Sequence, residues 1–76
     1  MHKFGDDKKL SRAYYLRGLN YINLGDLKRA ELDFQDSIRR DPKNTISYEQ
    51  LIYIYDQWGD ELQEAEIKKQ LQKFKK

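Results

Sequence analysis

The chain has few side chains that could catalyse a reaction. His2 is its one histidine and cysteine is absent, so a metal site or a nucleophile activated by histidine has almost no residues to use. The neighbouring acids Asp6 and Asp7, and likewise Asp60 and Glu61, stand near predicted helix starts, where capping explains them better than acid–base catalysis. We therefore expect no enzymatic activity, no cofactor and no bound metal.

Two glycines predict turns between helices rather than a phosphate-binding loop. Gly25 is followed by Asp26, and Gly59 is followed by Asp60. A glycine ends a helix well because it adopts a positive φ without strain, and an aspartate can cap the helix that follows. Each pair therefore indicates an abrupt helix–turn–helix connection and not a nucleotide site.

The first predicted helix precedes the turn at Gly25. Its hydrophobic side chains recur at helical spacing, and those that share one side are Leu10, Tyr14, Tyr21 and Leu24. We expect these four residues to form the buried face of the helix, with Gly18 beside them.

The second predicted helix follows the same turn. Its apolar residues repeat at steps of three and four, at Leu27, Ala30, Phe34 and Ile38. Gly18 and Ala30 are small enough to let two antiparallel helices approach closely. Pro42 predicts the end of this helix because the residue before a proline is pushed out of the α region, and Asn44 and Thr45 are candidate caps for a third helix.

Residues 11–44 resemble the tetratricopeptide repeat, a helix–turn–helix unit of about 34 residues. The residues that carry the resemblance are Tyr14, Gly18, Tyr21, Gly25, Ala30, Phe34 and Pro42. Two positions depart from the pattern, since Arg17 replaces the usual leucine and Ser37 replaces a small apolar residue. An arginine stem can cover apolar surface while its head reaches water, so we expect Arg17 at an edge of the packing, facing the open N-terminal end.

A second, degenerate copy of the pattern begins at Thr45. The positions that recur in it are Tyr48, Leu51, Tyr55, Gly59 and Asp60. Ala65 then comes one residue late, Lys69 stands where an aromatic residue is expected, and no closing proline follows. A capping helix with a polar outer face is the favoured interpretation of this last part, and a contact helix for another protein or copy is the alternative.

The resemblance implies an all-α fold of four helices in two antiparallel helix–turn–helix repeats, arranged as a right-handed superhelical unit. Residues 1–10 are expected to form an N-terminal extension that leads into the first helix. Residues 11–44 are the first repeat, and residues 45–76 are the second repeat with its capping helix.

The resemblance also implies a concave groove that holds an extended peptide or a helix of another protein. Its positions in the two repeats are Arg12, Tyr15, Leu19, Ile22, Asn23, Ile46, Glu49, Tyr53, Asp56 and Gln57. Tyr15, Leu19 and Ile22 form a second apolar stripe on the first helix. We expect a non-catalytic adaptor or scaffold whose groove is apolar at one end and acidic at the other. In the alternative, Phe4 of the N-terminal segment or the next helix pair covers the stripe.

Self-assembly is the other function that the sequence leaves open. Fewer than three repeats rarely bury a solenoid core. The last helix carries apolar residues on two sides, with Leu62 and Ala65 opposite a second group, Ile67, Leu71 and Phe74. A homodimer would cover either the stripe on the first helix or the Ile67–Leu71–Phe74 stripe.

The charge pattern does not favour a nucleic-acid partner. The net charge is only +2, and the lysines of the tail, Lys68, Lys69, Lys73, Lys75 and Lys76, follow an acidic interval. Cations near a helix C-terminus interact favourably with the macrodipole, and Phe74 is the one aromatic residue among them, so we favour a solvated helix end over a base-stacking surface. No apolar run reaches the length of a membrane span or a secretory signal, which predicts a cytoplasmic location without membrane contact.

Overall fold

The computed structural model describes residues 4–74 as four helices joined by short turns. They are α1 (Phe4–Asn23), α2 (Leu27–Arg40), α3 (Thr45–Trp58) and α4 (Glu61–Gln72). Helix α1 packs on α2, α2 on α3 and α3 on α4, and residues 4–74 contain no strand. The all-α helical-repeat prediction is confirmed, while the right-handed superhelix stays a prediction. Residues 4–10 form the beginning of α1, and none of the helices described is both long and apolar enough to cross a membrane.

The turns predicted at the two Gly-Asp pairs are confirmed. Gly25 has φ +80° and Gly59 has φ +69°, the left-handed conformation that glycine adopts at low cost. Asp26 then caps α2, because its carboxylate accepts a hydrogen bond from the backbone N–H of Arg29 at 3.1 Å. Asp60 caps α4 in the same way. The helix boundaries between α1 and α2 and between α3 and α4 are therefore set by local sequence.

The hydrophobic core lies mainly at the junction of the two repeats. Its buried apolar residues are Ala30, Phe34, Tyr48, Leu51, Ile54, Tyr55, Ile67 and Leu71. Helix α1 adds four partly buried residues that pack against this cluster, Tyr15, Leu19, Tyr21 and Ile22. All of these buried apolar residues lie on α2, α3 and α4, and α1 contributes only partly buried side chains to the core.

The predicted buried face of α1 is wrong at its two leucines, whereas Tyr21 of that face packs against the core. Leu10 is 39% exposed and Leu24 is 77% exposed, whereas the buried positions of α1 are Ser11 and Gly18. Helix α2 therefore approaches α1 on the Ser11–Gly18 side, and no helix within the described residues packs on the side of Leu10 and Leu24.

Gly18 leaves room for an aromatic ring of α2 rather than for the α2 backbone. A Cβ atom at Gly18 would lie 2.7 Å from two ring carbons of Phe34, closer than such atoms approach each other. Phe34 itself is fully buried. The close approach predicted at Gly18 is therefore present, and its direct partner is the Phe34 ring.

A buried polar cluster joins α1, α2 and the start of α3. The Ser11 hydroxyl donates to the carbonyl of Ser37 at 2.8 Å, and the Ser37 hydroxyl donates to the carbonyl of Ser11 at 2.8 Å. The hydroxyl oxygens of Ser37 and Ser47 are 2.7 Å apart. The Asn44 amide donates to the hydroxyls of Ser11 and Ser37 at 2.9 and 3.1 Å. We call these four residues the serine cluster.

The serine cluster explains the unusual residue at position 37. Since the Ser37 hydroxyl donates to Ser11, it accepts from both Ser47 and Asn44, which uses its full hydrogen-bonding capacity. The three serines are buried, and no buried side-chain polar atom in the described chain lacks a partner. Asn44 occupies the N-cap position of α3, as predicted, but its side-chain amide is directed to the serine cluster and makes no capping hydrogen bond.

Candidate functional site

The groove residues predicted on α1 divide into two groups. Arg12 and Asn23 are exposed, whereas Tyr15, Leu19 and Ile22 are partly buried and pack against the core. The Tyr15 ring lies 5.9 Å from the Phe34 ring, tilted by 55°. The apolar stripe of α1 therefore contributes to the fold through one side and keeps only part of its surface open.

The groove residues predicted on α3 lie opposite the buried side of that helix. Ile46 is 42% exposed and Tyr53 is 45% exposed. Glu49, Asp56 and Gln57 are exposed beside them. The residues that α3 buries are Ser47, Tyr48, Leu51, Ile54 and Tyr55. Helix α3 thus presents two large apolar side chains among acidic and amide groups.

The serine cluster holds α1 and α3 together at one end of these two sets. The Ser37 hydroxyl oxygen lies 3.0 Å from that of Ser11 and 2.7 Å from that of Ser47. Arg12 directly follows Ser11, and Ile46 directly precedes Ser47. The structure therefore brings the Arg12 and Ile46 ends of the candidate groove near each other.

A second polar contact fixes α3 against α2, and the sequence gave no sign of it. The Tyr55 hydroxyl donates to the Glu31 carboxylate at 2.8 Å and accepts from the Gln35 amide at 3.1 Å. Lys28 donates to the other Glu31 oxygen at 3.1 Å. Burial, and then the hydrogen bond to Glu31, raise the pKa of Tyr55 to about 12. A glutamate beside Ala30 carries no hydrophobic signal, so only the helix packing reveals that it is buried.

Arg17, which departs from the repeat pattern, forms a bidentate ion pair with Asp33. The Nε and Nη2 atoms of Arg17 donate to the two carboxylate oxygens of Asp33 at 2.8 and 2.9 Å. The Asp33 side chain is almost fully buried, while the Arg17 side chain is 59% exposed. The hydrogen bond and the negative charge of Asp33 raise the pKa of Arg17 above its ordinary value. The prediction that the Arg17 head reaches water is confirmed. The structure also shows that Arg17 neutralises a buried carboxylate, which the sequence did not predict.

Among residues 4–74, no three metal-ligating side chains come together at one point. His2, the one histidine of the chain, lies outside the described residues.

A scan against family models matches residues 11–44 to the tetratricopeptide repeat. This match supports a tetratricopeptide repeat over these residues. Repeats of this family generally bind other proteins and are typically non-enzymatic. Neither a search of curated proteins nor a search of solved structures finds a match to the chain.

The helix pair after residues 11–44 buries most of one predicted dimer surface. Ile67 and Leu71 are buried in the chain's own core, and the Phe74 ring lies 6.1 Å from that of Tyr48. Phe74 itself is 38% exposed, so only the Ile67–Leu71 part of the stripe is covered within the chain, where α4 turns it toward α3. The opposite side of α4 is open, and Leu62 there is 84% exposed.

The lysine-rich end of α4 is partly neutralised. Lys68 pairs with Glu64 at 3.3 Å, one helical turn before it. Lys69 and Lys73 are exposed, and Lys75 and Lys76 lie outside the described residues. The solvated helix end stays a prediction.

Proposed function

We propose that the chain is an adaptor or scaffold that binds an extended peptide or a helix of another protein on one face of α1 and α3. The residues of this concave face are Arg12, Tyr15, Leu19, Ile22, Asn23, Ile46, Glu49, Tyr53, Asp56 and Gln57. A cytoplasmic location and a non-catalytic role are part of the proposal.

The observation that supports the concave face most directly is the exposure of Ile46 and Tyr53. A small chain gains stability by burying residues of this size, yet both stay near half exposed on the side of α3 opposite the core. Grouped apolar side chains on an otherwise polar surface mark interaction sites, and tyrosine is enriched among the residues that dominate binding energy.

The two helices would contribute differently to binding. Tyr15, Leu19 and Ile22 are held by the core, so they form a floor that loses little entropy when a partner binds. Tyr53 on α3 would contact apolar side chains of the partner, and the nearby Asp56 favours a partner that carries a basic residue.

A substitution on α3 tests the proposal more cleanly than one on α1, because Leu19 also packs against the core. The experiment is affinity capture from the native cell extract with wild-type chain, Tyr53→Arg and Leu62→Arg. Tyr53→Arg should lose the captured protein, because it places a charge at the centre of the binding face. Leu62→Arg is the matched control on the outer side of α4 and should retain it.

Circular dichroism of both variants should show unchanged helix content, since both side chains are exposed in the folded chain. Capture that survives Tyr53→Arg and is lost with Leu62→Arg would place the binding surface on α4 and contradict the proposal.

A further inference from the structure

The two helix hairpins of the chain are joined by different contacts at equivalent positions. Residues 34 positions apart are equivalent, since this distance separates the two Gly-Asp turns. In the α1–α2 hairpin the buried Phe34 ring fills the space at Gly18, where a Cβ atom would lie 2.7 Å from it. The equivalent residues of the α3–α4 hairpin are Ile52, which is partly buried, and Lys68, whose side chain is 58% exposed. An exposed lysine therefore stands in place of the ring that locks α2 onto α1.

The hydrogen-bonded pairs of the first hairpin are replaced by apolar residues in the second. Two of the pairs that link α1 to α2 are Arg17 with Asp33 and Ser11 with Ser37. Their counterparts in α3 and α4 are Leu51, Ile67, Thr45 and Leu71. Ile67 and Leu71 are the two buried residues of α4, and neither side chain can form a hydrogen bond. At these positions α4 is held on α3 by apolar packing.

The charged and capping groups of α4 have partners within α4 itself. The Lys68 ammonium pairs with the Glu64 carboxylate at 3.3 Å, and the Asp60 carboxylate accepts a hydrogen bond from the backbone N–H of Gln63 at 3.2 Å. Both partners of each contact move together when the helix moves. Separation of α4 from α3 therefore keeps these polar contacts and breaks apolar ones.

Helices α1, α2 and α3 are linked more firmly than α3 and α4. The serine cluster joins all three of them, and the Arg17–Asp33 ion pair adds a second polar contact between α1 and α2. The Tyr55 hydroxyl donates to the Glu31 carboxylate at 2.8 Å, which adds one between α2 and α3. An element with few buried contacts opens at a lower free energy than the rest of the fold. Among the four helices, α4 is that element.

We propose that α4 is a lid that swings away from α3 as one unit while α1, α2 and α3 stay folded. The Gly59 turn, where φ is +69°, is the hinge. In the closed chain Tyr48 is 3% exposed and forms the floor of an open cleft of ≈ 400 Å³, together with Ile38 and Pro42 of the preceding helix and turn. Opening removes the α4 wall of this cleft and uncovers Tyr48. The lid lies apart from the concave face, so this proposal does not depend on the binding proposed there.

Native-state hydrogen exchange of the full chain, followed by NMR at a series of low urea concentrations, tests the lid. The probes are the amides of Ile67 and Leu71 in α4, compared with those of Phe34 in α2 and Leu51 in α3. We expect the α4 amides to be at least about tenfold less protected. Their opening free energy should also fall less steeply with urea, because opening of one helix exposes less surface than global unfolding does.

Two substitutions separate local opening from global unfolding. Asp33→Asn weakens the ion pair on the side of α2 that faces α1, so it should lower the protection of the Phe34 amide about tenfold and leave that of Leu71 unchanged. Ile67→Val is the matched change on α4. It should lower the protection of both amides by the same factor, because α4 also separates from α3 in global unfolding.

Three results would contradict the lid. Equal protection and equal urea dependence in α2 and α4 would mean that the four helices unfold together. A loss at Leu71 that matches the loss at Phe34 with Asp33→Asn would mean the same. Exchange of the Leu51 amide together with that of Leu71 would show that α3 opens with α4. The urea series decides the matter if Asp33→Asn leaves the protection of Phe34 unchanged.

Discussion

Substitution of Ser37 by alanine tests whether the core is stabilised by the hydrogen bonds of Ser37 or only by the packing of its side chain. The family pattern has a small apolar residue at this position, so side-chain volume alone predicts that Ser37→Ala is harmless. The structure predicts the opposite, because the Ser37 hydroxyl accepts from Ser47 and Asn44 in a fully buried site. Removing it leaves the Ser47 hydroxyl, also fully buried, without its acceptor.

A buried donor left unsatisfied costs about 1–3 kcal/mol. A chain of this length has about 4–11 kcal/mol of stability in all, so a loss near 2 kcal/mol is a large part of it. The midpoint of thermal unfolding should fall by about 8–16 °C, since ~1 kcal/mol corresponds to about 4–8 °C in a domain of this size. Thermal and urea unfolding followed by circular dichroism measure both quantities.

The matched control replaces Ser11, Ser37 and Ser47 together by alanine. In this variant no hydroxyl donor is stranded. The Asn44 amide loses its acceptors Ser11 and Ser37, but it is only partly buried and can donate to water instead, so the net effect of losing the hydrogen bonds is small. We therefore expect the triple variant to be more stable than Ser37→Ala. A single variant as stable as the wild type, or a triple variant less stable than the single one, would show that the serine cluster does not act as a coupled network.

Two further substitutions test the contacts between helices. Tyr55→Phe removes the hydroxyl that donates to buried Glu31 and should cost about 1.5–3 kcal/mol in urea unfolding. Because the pKa of Tyr55 is raised to about 12 in the folded chain, its contribution to stability is complete below pH ~10 and is lost between about pH 10 and 12, a loss that Tyr55→Phe should reduce. Gly18→Ala should lower the melting temperature although alanine favours helix, because its Cβ would lie 2.7 Å from the Phe34 ring. The additional change Phe34→Leu should then cost less than it does in the wild type, and two fully additive losses would contradict this contact.

The features that depend on neighbouring residues were predictable from the sequence. The Gly25–Asp26 turn and the Asp60 cap are determined within a few residues, and the structure has both as expected. The rotation of α1 is different, because it depends on how the Phe34 ring meets Gly18 across two helices. Periodicity identifies the sides of a helix, but the approaching helix decides which side is buried.

Buried polar residues cannot be predicted from hydrophobic periodicity. Ser37 departs from the repeat pattern, but Ser11 and Ser47 give no signal, because serines contribute nothing to a hydrophobic period. The same holds for Glu31, whose burial depends on Tyr55 from another helix. The ten concave positions came from the repeat resemblance, and only the structure shows that Tyr15 also packs on Phe34 while Tyr53 remains open.

The serine cluster also gives α2 a special place in setting the angle between the repeats. Its short, directional hydrogen bonds hold α1, α2 and α3 together at a single point. Each outer helix is held on α2 a second time, α1 by the Arg17–Asp33 ion pair and α3 by the Tyr55–Glu31 hydrogen bond. Two polar contacts on each helix fix its direction relative to α2, so the angle between α1 and α3 is set through α2 although the two helices hardly touch each other.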